Sequence, residues 1–577
     1  MKEQLHEKLT ASIRALLTEA GDDAEVPPFT LEVPRNTDHG DFACNAAMLL
    51  AKRLHKPPRD IATALIEQLG DAGGLLESAE IAGPGFVNLR LSASRWHDLV
   101  LQIIQEGTNY GGNATGAGKR VNVEFVSANP TGPLTVGHGR QAILGDVIAR
   151  LLAASSWDVT REYYFNDGGR QMRVLGQSLK ARYLEGLGKA APPTPEMLDG
   201  SVEDWPERID GLPVAFPNGG YQGNYLHEIA ADLQAKRGDE LVDEDADGFF
   251  RLEAQGRIFV EIRKTLDSLN IQFDEYYNES SLYDEGKLEE TLGDLREKEL
   301  VYEKDDATWL KATALGLDRD RVIVKRTGEP TYLFPDIAYH REKFRRGFDR
   351  IVDVQGADHI EQFPFVRLAV GQLGCDPERI ELVMHQFVTI TRGGEQVKQS
   401  TRRATYITID DLVGEVGADV FRFFMIQRKA EGHLDFDLDL ATSSDWKKNP
   451  AAYVQYAHAR TCGIERKLEE QGKSMPETSE MDADRLVLPE EIELLKKLNE
   501  FPEVVARAAE GLAPHHVSYY LRELAGLWNP YIQDGSRHRI LSDDEGLTAA
   551  RIGLALAVRV VLCNGLKLLG VSAPEKM

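Results

Sequence analysis

Val121-Asn-Val-Glu-Phe-Val-Ser-Ala-Asn-Pro-Thr-Gly-Pro-Leu-Thr-Val-Gly-His-Gly-Arg140 is the stretch on which the fold turns. Val121, Val123 and Phe125 alternate with polar residues, the period of a strand. Pro130, Gly132 and Pro133 then form a turn that continues neither strand nor helix. From Gly137-His138-Gly139 onward, Ile143, Leu144, Val147, Ile148, Leu151 and Leu152 recur at helical spacing. A strand, a tight turn and a helix N-terminus carrying Gly and His together make an anion site. The helix end presents unpaired N–H groups and a positive dipole, glycine admits a phosphate to the backbone, and His138 can donate to it. A bare Gly-His pair in a βα turn is usually an ordinary turn, and the length of the context sets this one apart.

Two later stretches extend the pattern. Ile351-Val-Asp-Val-Gln-Gly-Ala-Asp-His359 reads as a buried strand ending in Gly, Asp and His, where ligands bind in open α/β sheets. Glu381 to Ile390 reads as a strand, Thr391 to Val397 as a turn, and Lys398-Gln-Ser-Thr-Arg-Arg-Ala-Thr405 as a loop. Arg392 to Arg403 holds four basic residues and one acid.

The first stretch resembles the "HIGH" signature of class I aminoacyl-tRNA synthetases, in the form found in arginyl-tRNA synthetases, with Ser127-Ala-Asn-Pro-Thr-Gly-Pro-Leu134 as its flank. Gly137 and His138 match, and Thr135 stands where the family has its first signature histidine. Lys398 to Thr405 resembles the KMSKS loop: Lys398 and Ser400 match, and Thr401-Arg402 replaces the second lysine, whose charge falls to Arg402 or Arg403. Arg161 to Gln171, Pro330-Thr-Tyr-Leu-Phe-Pro-Asp-Ile-Ala-Tyr-His340 and the run Gly356-Ala-Asp-His359 resemble further family segments. The resemblance implies that Glu124, Asn129, Tyr332 and Asp336 contact arginine. A guanidinium, with five donors in a rigid fork, suits such carboxylate and amide acceptors. Read singly, Glu124 fits equally a buried acid paired with a neighbour, and Asp336 a helix N-cap. Gly137, His138, Asp358, His359, Lys398 and Ser400 are implied for ATP, with His138, Lys398 and Arg402 acting on the reacting phosphates.

Composition fits without deciding. The 577 residues suggest three or four domains, at 42% hydrophobic and 28% charged. Cys44, Cys375, Cys462 and Cys563 are widely separated, which argues against disulfides, structural zinc and an oxidising compartment. The charged N-terminus lacks a signal-peptide core. No apolar run is expected to reach membrane length, since the best, Ile552 to Val558, stops at Arg559. A cytoplasmic protein without a membrane partner is expected. The net charge of −26 speaks against an RNA partner if taken as a whole. Locally, Arg341 to Arg350 holds five basic residues and two acids, and Lys447 to Lys467 five and one, so a specific site is compatible.

The expected architecture is α/β multidomain: residues 1–112 an α+β tRNA-elbow domain, 113–445 a Rossmann-type catalytic domain, and 446–577 an all-α anticodon-binding domain. The Pro/Gly-rich run from Gly188 to Asn224 marks a connective insertion around 188–260. By resemblance, Phe86 and Asn88 contact a tRNA loop base by stacking and amide hydrogen bonding, although Phe86 equally fits a strand core. Tyr456, His458 and Arg460 lie on one basic helix, where Tyr453 and Tyr456 also fit core packing. The family implies arginyl-adenylate formation from arginine and ATP with Mg²⁺, then transfer to tRNA(Arg), by a monomer. The alternatives are a related nucleotidyltransferase and a catalytically silent tRNA-binding paralogue.

Overall fold

The computed structural model describes residues 2–22, 24–34, 39–357, 360–397 and 407–577. At its centre five strands run parallel in the spatial order Ile380–His385, Arg350–Gly356, Arg120–Glu124, Asp158–Phe165, Glu275–Asn278. In sequence these are the fifth, fourth, first, second and third strands of the sheet. The order therefore reverses between Arg120–Glu124 and Arg350–Gly356, and the carboxyl ends of those two strands flank the crevice in which open α/β sheets bind ligands. Arg120–Glu124 lies between two neighbours and is buried on both faces from Val121 on, including Asn122 and Glu124. Its alternation is not that of a half-exposed strand, because a central parallel strand sees no water on either side.

The signature helix, Val136–Ala154, follows the turn and packs on the sheet. Gly145 faces the Phe125 ring so closely that a Cβ would overlap it. Arg140, fully buried, donates to the carbonyls of Gln386 (2.7 Å) and Lys429 (2.9 Å), tying the helix to the far edge of the sheet. The stretch read as one strand from 381 to 390 is two. Ile380–His385 ends the parallel sheet, and Val388–Arg392 pairs instead with Leu434–Asp437 and Glu395–Gln396.

The first unit is an antiparallel four-stranded sheet with helices, and the last is built on the helices Pro450–Glu470, Pro489–Glu510, His515–Gln533 and Glu545–Leu568. Asn564 donates to the carbonyls of Gly107 (2.8 Å) and Tyr110 (3.0 Å), and the Tyr110 hydroxyl to that of Leu498 (2.9 Å), so these two units pack together. Glu545–Leu568 is long and apolar enough to span a membrane, against the expectation that no run reaches that length. Its apolar residues are instead mostly buried within the protein.

Arg422 joins three regions. It is 1% exposed, pairs with Asp146 of the signature helix, and donates to the carbonyls of Leu269 (2.7 Å) and Leu569 (3.0 Å). Arg422→Met removes the more deeply buried of the two arginines paired with Asp146, leaving only Arg150 at 2.8 Å, and leaves both carbonyls unpaired. A loss of about 3–5 kcal/mol is expected, read as a lowered midpoint in chemical denaturation; an unchanged midpoint would contradict the bridging role.

Candidate active site

Thr135 precedes the first turn of the signature helix with extended backbone, φ −89° and ψ 170°. Its N–H donates to Nδ1 of His138 at 3.1 Å, and its Oγ1 lies 3.2 Å from the same nitrogen. An Nδ1 that accepts leaves the neutral ring's proton on Nε2. The residue at the departure from the signature is thus the helix cap, and it sets the tautomer of the histidine that remains.

A cleft of about 650 Å³ opens at this turn. Asn129, Thr135 and His138 line one wall, and Trp205, Tyr221 and Tyr225 of the insertion line the other. The Tyr225 hydroxyl donates to the Thr131 carbonyl, pinning the insertion to the signature turn. Asn129 donates to Gln171 at 2.7 Å. Tyr332, 65% exposed, is close enough to Tyr221 to push its phenol pKa up, after burial as the main cause.

Three acids cluster around Tyr164. Glu279, buried just beyond the strand Glu275–Asn278, accepts from the Tyr164 hydroxyl at 2.9 Å. Burial, and then the carboxylates of Asp336 and Asp167, push the Glu279 pKa up. Tyr164 feels Glu279, Asp336 and Glu124 together, and burial with these charges drives its own pKa well up. Asp336 sits in the first turn of the helix Leu333–Arg345 and accepts from Gln362. It is not the N-cap, which is Tyr332. Glu124 is indeed a buried acid paired with a neighbour: Lys343 donates to it at 2.6 Å. The helix brings Asp336 and the partner of Glu124 to one region, so the two acids read from sequence meet around Tyr164.

Asp358, His359, Lys398, Ser400 and Arg402 lie outside the described residues. In the first unit, Phe86 is 37% exposed and Asn88 half-buried, alternating with buried Val87 and Leu89, so Phe86 is not a core residue. In the last unit, Tyr456 and Arg460 line a cavity of about 670 Å³ with Arg466, Lys467, Arg539 and Lys576. Tyr456 stacks on Trp446 with ring centroids 4.0 Å apart. His458 does not face that cavity; it is buried and hydrogen-bonds the Pro574 carbonyl at 2.9 Å. Nor is Arg341 to Arg350 an open basic patch. Each of its five cations is paired: Arg341 with Asp294, Lys343 with Glu124 and Asp353, Arg345 with Glu290, Arg346 with Glu162 and Arg350 with Glu381.

A family model described as the tRNA synthetases class I (R) catalytic domain matches residues 99–194 and 233–430. The arginyl tRNA synthetase N terminal domain matches 3–91, and the DALR anticodon binding domain 454–577. The chain is 47% identical to the arginine–tRNA ligase of Salinibacter ruber over 575 residues, 99% of each chain. It is 46% identical to that of Desulfotalea psychrophila over 549 residues, 95% of each. In fold it is similar to Thermus thermophilus arginyl-tRNA synthetase, with a TM-score of 0.71 over 99% of each chain at 24% identity.

The chain belongs to the arginyl-tRNA synthetases. Membership of this class I family carries with it the use of ATP, and the silent-paralogue alternative finds no support among these relatives. Residues 195–232, which the catalytic model leaves unmatched, supply the Trp205, Tyr221 and Tyr225 wall of the cleft in this synthetase. Glu279, Tyr164, Gln362 and Lys343 escaped sequence reading. The one available signal was spacing: Asp336, His340 and Lys343 recur at i, i+4 and i+7, one face of a helix.

His340 gives the site a pH dependence. Burial opposes its charge, but the Asp353 carboxylate, 2.8 Å from Nε2, prevails over Lys343 and raises its pKa. A raised folded value means a stabilisation complete below the unfolded value of about 6.5 and lost as pH rises through the folded value. The melting-temperature gap between the unaltered protein and His340→Gln is therefore expected to be widest below about pH 6.5 and to narrow above it. A gap independent of pH would contradict a charged His340.

Proposed function

We propose that this synthetase activates L-arginine with ATP–Mg²⁺ and transfers it to tRNA(Arg), activation proceeding with tRNA bound. The observation that carries the reading is the cluster of Glu124, Glu279 and Asp336 around the Tyr164 phenol. Burial, and then the Asp336 and Asp167 carboxylates, raise the proton affinity of Glu279 there, and a guanidinium would relieve that repulsion while filling planar acceptors with its fork of donors. Glu124, Asn129, Tyr332 and Asp336 bind arginine in this reading, joined by Glu279.

The substrate carboxylate attacks the α-phosphorus of ATP as the bond to the bridging oxygen breaks, so pyrophosphate leaves with its Mg²⁺ and arginyl-adenylate remains. A terminal ribose hydroxyl of tRNA then attacks the adenylate carbonyl, the ester forms, and AMP leaves with no protein nucleophile. Holding the two reactants together supplies much of the rate. His138 and the helix N-terminus with Gly137, together with Lys398, Ser400 and Arg402, stabilise phosphate charge, and Asp358 and His359 border the nucleotide. Phe86 and Asn88 on one outer strand face, and Tyr456 and Arg460 in the basic cavity, suit unstacked tRNA bases. The units divide near residues 112 and 445, and the protein acts as a cytoplasmic monomer away from membranes.

Steady-state aminoacylation tests the assignment. Asp336→Ala is expected to raise the arginine KM by roughly tenfold or more with the ATP KM near that of the unaltered protein; an unchanged arginine KM would remove Asp336 from the site. Lys398→Ala is expected to lower kcat by roughly 10²-fold, whereas a loss of tRNA affinity alone would contradict its place at the phosphates.

A further inference from the structure

Lys343 has no role in the reading above, yet it is one of the most thoroughly buried side chains of the catalytic unit, 0% exposed. Its Nζ donates to Glu124 Oε2 at 2.6 Å and to Asp353 Oδ1 at 2.7 Å, and lies 4.4 Å from the centre of the Tyr339 ring. The other oxygen of Glu124 accepts from Ser127 Oγ at 2.9 Å, and Ser127 Oγ accepts from the Tyr164 N–H at 3.1 Å. The other oxygen of Asp353 receives His340 Nε2 at 2.8 Å, and His340 Nδ1 bonds the Asp336 carbonyl at 2.8 Å. The chain Ser127–Glu124–Lys343–Asp353–His340–Asp336 is thus continuous, entering Asp336 at its backbone carbonyl, and two of its residues, Glu124 and Asp336, are those already assigned to arginine.

Physical chemistry gives this arrangement a consequence for binding. Glu124 and Asp353 are paired residues on adjacent parallel strands, and two facing carboxylates out of water cannot both stay ionised without a cation between them. With Lys343 in place, both oxygens of Glu124 are held and each keeps a lone pair for a further donor. Without it, Glu124 repels Asp353 and is free to turn away.

We propose that Lys343 is a positioning residue for the amino-acid substrate: its ammonium locks Glu124 in one rotamer and takes up its charge, leaving Asp336 and Glu279 to balance the guanidinium. The inference rests on the arginine reading of the acidic cluster. It separates the acids by task, with Glu124 supplying a preset acceptor and the other two supplying charge.

The test is a double-mutant cycle on arginine-dependent ATP–pyrophosphate exchange with tRNA present, using Lys343→Met, Glu124→Gln and both together. Lys343→Met is expected to raise the arginine KM by roughly tenfold or more while the ATP KM holds, and the same change in the Glu124→Gln background is expected to add less than about threefold. A purely structural lysine would lower stability and give equal effects in both backgrounds. An unchanged arginine KM in Lys343→Met, or full additivity with Glu124→Gln, overturns the proposal. Should Lys343→Met fail to fold, Lys343→Gln, which keeps N–H donors but drops the charge, is read by the same criteria. No arginine-dependent exchange in the unaltered protein would instead overturn the arginine reading itself.

Discussion

Glu124 and Asp353 stand opposite each other on neighbouring parallel strands, both out of water, and the Lys343 ammonium between them serves both charges while His340 bonds Asp353 from its other side. The lysine that fills the gap comes from the helix Leu333–Arg345, so that helix must lie across the ends of both strands. Once it does, Asp336, two turns earlier on the same face, is delivered to the acidic cluster without further instruction. The same sheet carries a third buried acid, Glu162, which accepts from Tyr339 and pairs with Arg346 of the segment that follows. A single helix thus neutralises the acids beneath it and presents an acid above it.

The signature turn solves a separate problem, how to aim a helix N-terminus at a crevice with a fixed donor. Thr135 caps the helix and settles the His138 tautomer, while Arg140 at the end of the same motif ties the helix to the sheet's far edge. The insertion then closes the crevice with aromatic side chains anchored on the Thr131 carbonyl. In the proposed function, the anion-facing and cation-facing halves of the site therefore come from different elements: a helix end for phosphate, and acids at strand ends and on the helix Leu333–Arg345 for the substrate side chain.

Much of this was legible in the sequence because it depends on local chemistry. The strand–turn–helix at 121–154, the strand at 350–356 and the helical last unit follow from periodicity and turn residues. What failed depends on partners distant in sequence. The alternation at Val121, Val123 and Phe125 marks a strand but not its neighbours, which on both sides bury Asn122 and Glu124 too. The cations of Arg341 to Arg350 looked like a patch, and their carboxylates lie 10 to 219 residues away along the chain. Glu279 reads as an ordinary surface acid until the strand before it is placed against Tyr164. Glu545–Leu568 shows the reverse: its length was underestimated because one arginine, Arg559, was taken as a stop, when it pairs with Glu465 at 3.1 Å on a neighbouring helix.

The most direct measurement is ATP–pyrophosphate exchange with each of the twenty amino acids, with and without total tRNA. Exchange with arginine alone, dependent on added tRNA, is the expected result. Exchange with another amino acid, or none with any amino acid in the presence of tRNA, would contradict the assignment of the acidic cluster to a guanidinium.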